Sequence, residues 1–427
     1  LPTSPETTGY FELLRTNPNY RKLWLGEVIS LFGDWFNLIA SASLISNLTQ
    51  SGTAVGSLFV IRMLAPFLIS PLAGVAADRY NRKTLLISAD IARFVVVLGF
   101  LLVRSPSQVW LLYTLTAIQL AISGMFAPAR NAILPDIVSR RELGAANALS
   151  STTWSVMLAL GAAIGGVVAG KWGIYPAFVI DAITFLLSAI ILYSIRYTHV
   201  SALDEAGKTI AAGFKQYLAG LTYLKEHRDI FFIALNKGAI ALTMNGIFQV
   251  IQVTLAEQVF VIGEGGGTSL GLMYAVAGVG TGLGPILARR FTGDHDHSLR
   301  QALIFAYAVS IVGTLFIARL TSLEIVLFGT FLRSFGGGIN WVFSTQLLLQ
   351  LLPDRVRGRV FSTEFAIFTL ANAIGTGVGG WLMDLSGIGL VSTMFWLAGL
   401  TLIPTLLWMF WVSLGKPDAV PAESRVD

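Results

Sequence analysis

Apolar runs of about 20 residues, parted by short polar and basic stretches, follow one another along this chain from residue 23 to residue 413. A helix needs roughly 20 apolar residues to cross the hydrocarbon core of a bilayer. Runs at 23–47, 54–77, 84–103, 108–127, 144–168 and 174–195 predict six such helices. Runs at 230–256, 268–288, 299–318, 323–349, 360–382 and 388–413 predict six more. One long polar break, 196–229, joins the two sets. Within it, TIAAGFKQYLAGLTYLKEHR (209–228) places apolar residues at helical spacing with basic residues opposite, which predicts an amphipathic helix lying along a membrane surface. The expected organisation is a polar segment 1–22, a six-helix bundle 23–195, the linker 196–229, a second bundle 230–413 and a tail 414–427.

Composition agrees with a bilayer. The chain has 427 residues, 54% hydrophobic and only 12% charged, against about a quarter charged for soluble domains. Its pI near 9.4 would suit nucleic acid only if the basic residues shared one soluble face. Instead they fall between apolar runs, and alternate breaks hold nearly all of them. Cytoplasmic loops carry the Lys and Arg excess, so the alternation predicts both termini inside, with only Arg104, Lys171 and Arg319 in outer loops. The absence of cysteine excludes thiolate metal sites and cysteine nucleophiles. The four histidines lie in predicted cytoplasmic segments, and no GxSxG, HExxH or phosphate-binding loop occurs at a plausible place. Neither an enzyme nor a metal or cofactor site is expected.

The two sets of six repeat one plan. Gly74-Val-Ala-Ala-Asp78-Arg79 matches Gly284-Pro-Ile-Leu-Ala288-Arg289, Leu134-Pro135-Asp136 matches Leu352-Pro353-Asp354, and Gly161-x-x-x-Gly165-Gly166 matches Gly375-x-x-x-Gly379-Gly380. Duplicated halves are a transporter architecture, with the substrate site at their interface near the midplane. The stretch GVAADRYNRK also resembles the loop 2–3 signature of the major facilitator superfamily, with Asn81 at a glycine position that would suit a left-handed turn. YRKLWLGEVISLFGDW, LLISADIAR, FAPARNAILPDIV, FVIDAITFLLSA and LPDRVRGRVFS are similar to the drug:proton antiporter branch that includes macrolide exporters and the enterobactin exporter. The resemblance implies twelve helices in two pseudo-symmetric bundles, with helices 1, 4, 7 and 10 lining a cavity. It further implies a cytoplasmic latch at Gly74, Asp78, Arg79, Arg82, Lys83 and Arg130. Two departures stand out. The branch has a Gly-Pro pair in helix 5 where this chain reads Gly161-Ala162, and the arginine it usually carries inside helix 4 is missing from 108–127.

Ionisable residues inside a membrane are costly and mark function by default. Leaving aside Arg300 and Glu324 at the very starts of their runs, Glu27, Asp34, Asp90, Asp181 and Glu364 are the acids within the predicted spans; Arg62, Arg93, Lys237 and Arg333 are the bases. Asp90 can pair with Arg93 at i, i+3, and with Glu364 they are assigned to the latch network near the cytoplasmic edge. Glu27, Ser30, Asp34, Asn37 and Ser41 form one polar stripe along helix 1. Asp34 lies about 16 Å from the inner end of its helix and Arg62 about 22 Å from that of its own, at 1.5 Å per residue, so the two are candidates to pair. Asp34, Glu27, Asp181 and Arg62 are therefore the proton-coupling candidates. Asn37, Gln119, Asn236, Lys237, Asn245, Gln249, Gln252, Arg333 and Asn340 are the cavity candidates, acidic on the N-terminal wall and basic on the C-terminal wall.

The expected protein is a monomeric, multi-pass carrier of the bacterial inner membrane, exporting an amphiphilic small molecule in exchange for protons among the membrane lipids. A lysophospholipid flippase of the same fold and a non-transporting sensor are the alternatives.

Overall fold

The computed structural model describes residues 9–139, 141–197, 222–293, 295–385 and 389–414, and every regular element among them is helical. Most of the amphipathic linker predicted at 209–228 lies outside the described residues. Its last turn, 222–226, is helical.

A short helix α1 (Tyr10–Thr16) leads into α2 (Pro18–Thr49), which starts five residues before the apolar run does. The start is set by chemistry rather than hydropathy. The Asn17 side chain accepts a hydrogen bond from Tyr20 N at 3.0 Å, and Pro18 fills the first helical position, where no N–H is needed. Then follow α3 (Gly52–Arg79), α4 (Arg82–Gly99), α5 (Val109–Ile137), α6 (Leu143–Trp172) and α7 (Ile174–Tyr193). Asn81 does not take a left-handed turn. Its φ is −58°, and its side chain instead caps α4 by accepting from Thr84 N at 3.1 Å, a role that asparagine fills better than glycine.

The second set begins with α8 (Arg228–Ile240), a π-turn (Ala241–Asn245), α9 (Gly246–Thr254) and a second π-turn (Leu255–Val259), stacked as one continuous rod. It continues with α10 (Gly267–Thr292), α11 (Asp296–Ala318), α12 (Leu323–Leu351), α13 (Asp354–Asp384) and α14 (Leu390–Ser413). Among the described residues, eleven of the helical segments are long and apolar enough to cross a membrane. The remaining long helix, α12, has 29 residues, and its apolar content is diluted by Arg333, Asn340 and a Gly336-Gly337-Gly338 row.

Contacts divide the chain into two compact units that do not quite follow the halves of the sequence. Unit 1 comprises residues 1–50, 64–210 and 256–275, and unit 2 comprises 51–63, 211–255 and 276–427. The first turns of α3 thus belong with unit 2, and the start of α10 with unit 1. In unit 1, Leu13, Tyr20, Leu23, Leu86, Ile133 and Leu134 form one buried core. That core explains why α5 continues ten residues past the expected end at 127, through Pro128 and Pro135. Each proline removes one backbone hydrogen bond, and the burial of Ala129, Ile133 and Leu134 offsets the loss. Unit 2 has its own core, including Ile233, Leu299, Leu303, Phe343, Leu347 and Trp408.

The glycine rows bring helix backbones together within each unit. A Cβ on Gly166 would meet Gly271 Cα at 2.5 Å, and one on Gly379 would meet Ile247 Cα at 2.7 Å. Both rows follow the small-x-x-x-small rule of membrane helix packing.

Candidate functional site

In unit 1 the polar face of α2 is occupied at several levels. Glu27 accepts from Ser150 Oγ of α6 at 3.1 Å and lies 3.4 Å from the Arg130 guanidinium of α5. Arg130 also bonds Ser150 and Asn131. It is a buried residue well within α5, so the expectation that helix 4 holds no arginine is corrected: the helix extends past the apolar run and carries Arg130 inside. A latch residue and a proton candidate are thereby brought into one cluster.

One level further along α2, Gly33 permits close contact with α7. A Cβ there would lie 2.5 Å from Asp181 Oδ1. Asp181, fully buried, packs against the backbone one residue before Asp34, beside the stripe. Asp34 itself is half-buried. It belongs to unit 1 and Arg62 to unit 2. Asn37 and Gln119 are buried, and the Asn37 amide oxygen accepts from Ser41 at 3.2 Å.

Asp90 and Arg93 form the expected pair, both buried. The guanidinium sits 4.2 Å from the Phe185 ring centroid and 4.9 Å from that of Phe126, and donates to Ser123 at 3.3 Å. Arg82 binds Asp136 at 2.6 Å and the Ala132 carbonyl at 3.0 Å. Tyr197 donates to the same carboxylate at 3.0 Å, and burial together with that carboxylate holds its hydroxyl above the ordinary tyrosine range. Lys83 lies 5.2 Å from the Tyr193 ring. The side chains of Asp78 and Arg79 at the end of α3, and the surroundings of Gly74, lie outside the described residues.

Unit 2 places a buried ion pair where α8, α12 and α13 meet. Lys237 Nζ is 2.9 Å from Glu364 Oε1, donates to Thr345 Oγ1 at 2.7 Å and lies 4.6 Å from the Trp341 ring centroid. Glu364 therefore partners a cavity candidate rather than the Asp90–Arg93 group to which it was assigned. The cause is helical geometry: α13 starts near 354, which sets Glu364 about three turns inside it.

Arg333 of α12 donates to the Met244 carbonyl at 2.8 Å and to Asn245 Oδ1 at 3.0 Å, and covers the Phe248 ring at 3.9 Å. Both acceptors lie on the first π-turn, where the wider backbone repeat leaves carbonyls available. Tyr307 donates to Asn236 Oδ1 at 3.0 Å, Thr376 lies 3.5 Å from Gln249, and Gln252 and Asn340 are buried.

Four groups escaped the sequence reading. Asp136 closes the Arg82 cluster. Arg300, at the very start of its predicted run, is a buried helix residue bound bidentately to Asp229 at 2.6 Å for each bond, with Trp411 donating to the same acid at 2.9 Å. Asp384 caps α3, accepting from Ser51 Oγ at 2.7 Å, Gly52 N at 2.6 Å and Thr53 N at 2.9 Å. Glu257 stands on the second π-turn, one residue beyond the predicted end of its span. The aspartate after Leu134-Pro135 was a visible signal for the first; the other three needed tertiary contacts.

The profile of the Major Facilitator Superfamily matches residues 23–295 and again 238–426. An uncharacterised transporter of this type, YfiS of Bacillus subtilis, is 25% identical over 384 residues, covering 88% of this chain and 90% of that protein. The enterobactin exporter EntS of Citrobacter koseri is 26% identical over 391 residues, covering 89% and 88%. A putative bacilysin exporter, BacE of Bacillus amyloliquefaciens, is 20% identical over 359 residues, covering 84% and 87%. Among solved structures, the nucleoside transporter NupG superposes with a TM-score of 0.71 at 12% identity over 94% of this chain and 100% of that one. A bacterial homologue of the lysosomal transporter Spinster gives 0.70 at 15% identity over 96% and 98%.

Proposed function

The chain belongs to the Major Facilitator Superfamily, and from that premise we propose that it exports an amphiphilic small molecule from a bacterial cell in exchange for protons. It is a multi-pass inner-membrane transporter, not an enzyme, and its exporter relatives support outward transport. In this proposal the chain makes twelve crossings with α12 among them, keeps both termini in the cytoplasm and works by alternating access, its two six-helix halves rocking.

The observation that carries proton coupling is the run of acids along one helix. Glu27, Asp34 and, through its contact at Gly33, Asp181 stand at successive levels of α2. A buried carboxylate can take up or lose a proton according to how wet and how well paired it is. In this reading Asp34 is the protonation site, with Glu27 as its relay toward the cytoplasm through the Arg130–Ser150 cluster. Lys237 and Arg333 in unit 2 are the cations that select an anionic or mixed-charge substrate, and each rests beside an aromatic ring suited to an apolar body. Arg82 and its neighbours hold the cytoplasmic side.

The experiment is transport by the full-length protein in proteoliposomes, with and without a pH gradient, using the catecholate enterobactin, erythromycin and lysophosphatidylglycerol as separate probes. Gradient-dependent flux of enterobactin or erythromycin that is lost in Asp34→Asn supports the reading. Flux at the wild-type rate in that variant removes Asp34 as the proton site. Flux of the lysolipid alone replaces export of soluble amphiphiles with lipid flipping.

A further inference from the structure

Glu257 is an acid that the reading above does not use. It stands on the π-turn Leu255–Val259, and both of its carboxylate oxygens are shut off from solvent. The polar groups facing it are the hydroxyls of Ser43 and Ser46 on α2. Gly266 presses on its backbone, since a Cβ there would lie 2.9 Å from Glu257 Cα.

Among the described residues, the elements around it supply no counter-ion. On α2 the charged residues are Arg21, Lys22, Glu27 and Asp34, and even Asp34, the nearest of them in the chain, is about 13 Å along the helix from Ser43 at 1.5 Å per residue. The turn before α10 brings Glu264, which lies beside Gly173 instead, and α10 itself brings Tyr274, which packs on Trp35. On α6 the nearest candidate, Lys171, is exposed. No charged group among the described residues acts on Glu257.

An ionised carboxylate buried without a cation costs several kcal/mol, whereas a protonated one carries an O–H that a serine hydroxyl can accept. The site lies about 28 Å along α2 from Glu27, from Ser46 back at 1.5 Å per residue, which is close to the full hydrocarbon thickness. We infer that Glu257 is a second proton-binding site, at the opposite membrane face from Glu27, neutral while its oxygens are buried against Ser43 and Ser46 and releasing its proton when the π-turn is wetted. With Asp34 between them, the three acids form a ladder from one face of the bilayer to the other. The inference rests on proton-coupled export, but its test does not require transport.

The full-length protein in phosphatidylcholine and phosphatidylglycerol vesicles is examined by infrared spectroscopy at pH 7. The expected result is a neutral-carboxyl C=O band that shifts in D2O, disappears in Glu257→Gln and survives in Asp34→Asn. Gln is close in shape to the neutral acid, so this variant should unfold within a few degrees of wild type. In Ser43→Ala/Ser46→Ala the band should persist at a shifted frequency, because the hydroxyl partners are gone. A wild-type minus Glu257→Gln spectrum showing only an ionised carboxylate at pH 7 overturns the inference. So does a band unmoved by the double serine change. A surviving band in a protein that shows no gradient-driven flux leaves the site standing and removes the export reading alone.

Discussion

The Lys237–Glu364 pair gives unit 2 an asymmetric dependence on its two partners. The side chains are only 6% and 3% exposed and 2.9 Å apart. Removing one member of such a pair costs about 3–5 kcal/mol, chiefly for the charge left behind. The two single changes do not strand equal charges. In Glu364→Gln, Lys237 keeps its hydrogen bond to Thr345 and its place over Trp341. The ring alone is worth about 0.5–2 kcal/mol, so this variant should lie near the lower bound, about 3 kcal/mol. In Lys237→Met, Glu364 loses its cation, and no other donor reaches Oε1, so the cost should approach about 5 kcal/mol. Lys237→Met/Glu364→Leu should return to within about 1 kcal/mol of wild type, since apolar replacement of a whole buried pair is often neutral. The assay is reversible unfolding of the purified protein from detergent micelles into SDS. Additivity within about 0.5 kcal/mol, the behaviour of independent sites, would refute the reasoning. A greater loss in Glu364→Gln than in Lys237→Met would refute the assignment of Thr345 and Trp341 as residual support.

Three further changes probe other contacts. Gly33→Ala drives a methyl into Asp181 and Thr184; it should cost about 1–3 kcal/mol, as overpacking does, and Thr184→Ala in the same chain should recover part of it. Asp384→Asn removes the charge that holds the first turn of α3. A loss of about 1.4 kcal/mol is tenfold in an equilibrium, so amide exchange at Gly52 and Thr53 should speed up about tenfold, while exchange in mid-α3 stays unchanged. Arg300→Lys cannot keep the fork to Asp229 and should cost about 1.5–3 kcal/mol, the worth of a charged hydrogen bond; equal stability on SDS unfolding would argue against the bidentate geometry.

Much of the architecture was legible because bilayer physics writes it in plain terms. Apolar length and the Lys and Arg alternation locate helices, and glycines at i, i+4 locate contacts such as Gly166 with Gly271. The ends of helices were less legible. Hydropathy cannot see an Asn17 cap, or the buried leucine and isoleucine that carry α5 beyond Pro128, so Arg130 was assigned to a loop. Pairing across helices was the least visible. Asp90 and Arg93 are neighbours on one helix, and their bond follows from spacing alone. Glu364 and Lys237 stand on different helices more than a hundred residues apart, and only the packing of α8 against α13 joins them. The irregular backbone of the seventh predicted helix was not legible either: nothing in ALTMN or LAEQV marks a π-turn, and a regular 3.6-residue period is the default for an apolar run.

That irregularity has a genetic consequence. A π-turn is the trace of one residue inserted into an α-helix, and each residue turns the rod by roughly 100°. Everything between Gly246 and Thr254 is therefore set one residue out of phase with Asn236 and Lys237, and Arg333 is fitted to the result. Deleting a single residue from Ala241–Asn245 would restore a regular helix, yet would aim Gln249 and Gln252 at different neighbours. Length changes here should behave as changes of address rather than of stability, so the segment is one where an insertion or deletion, more readily than a point substitution, could give a related carrier a new cargo.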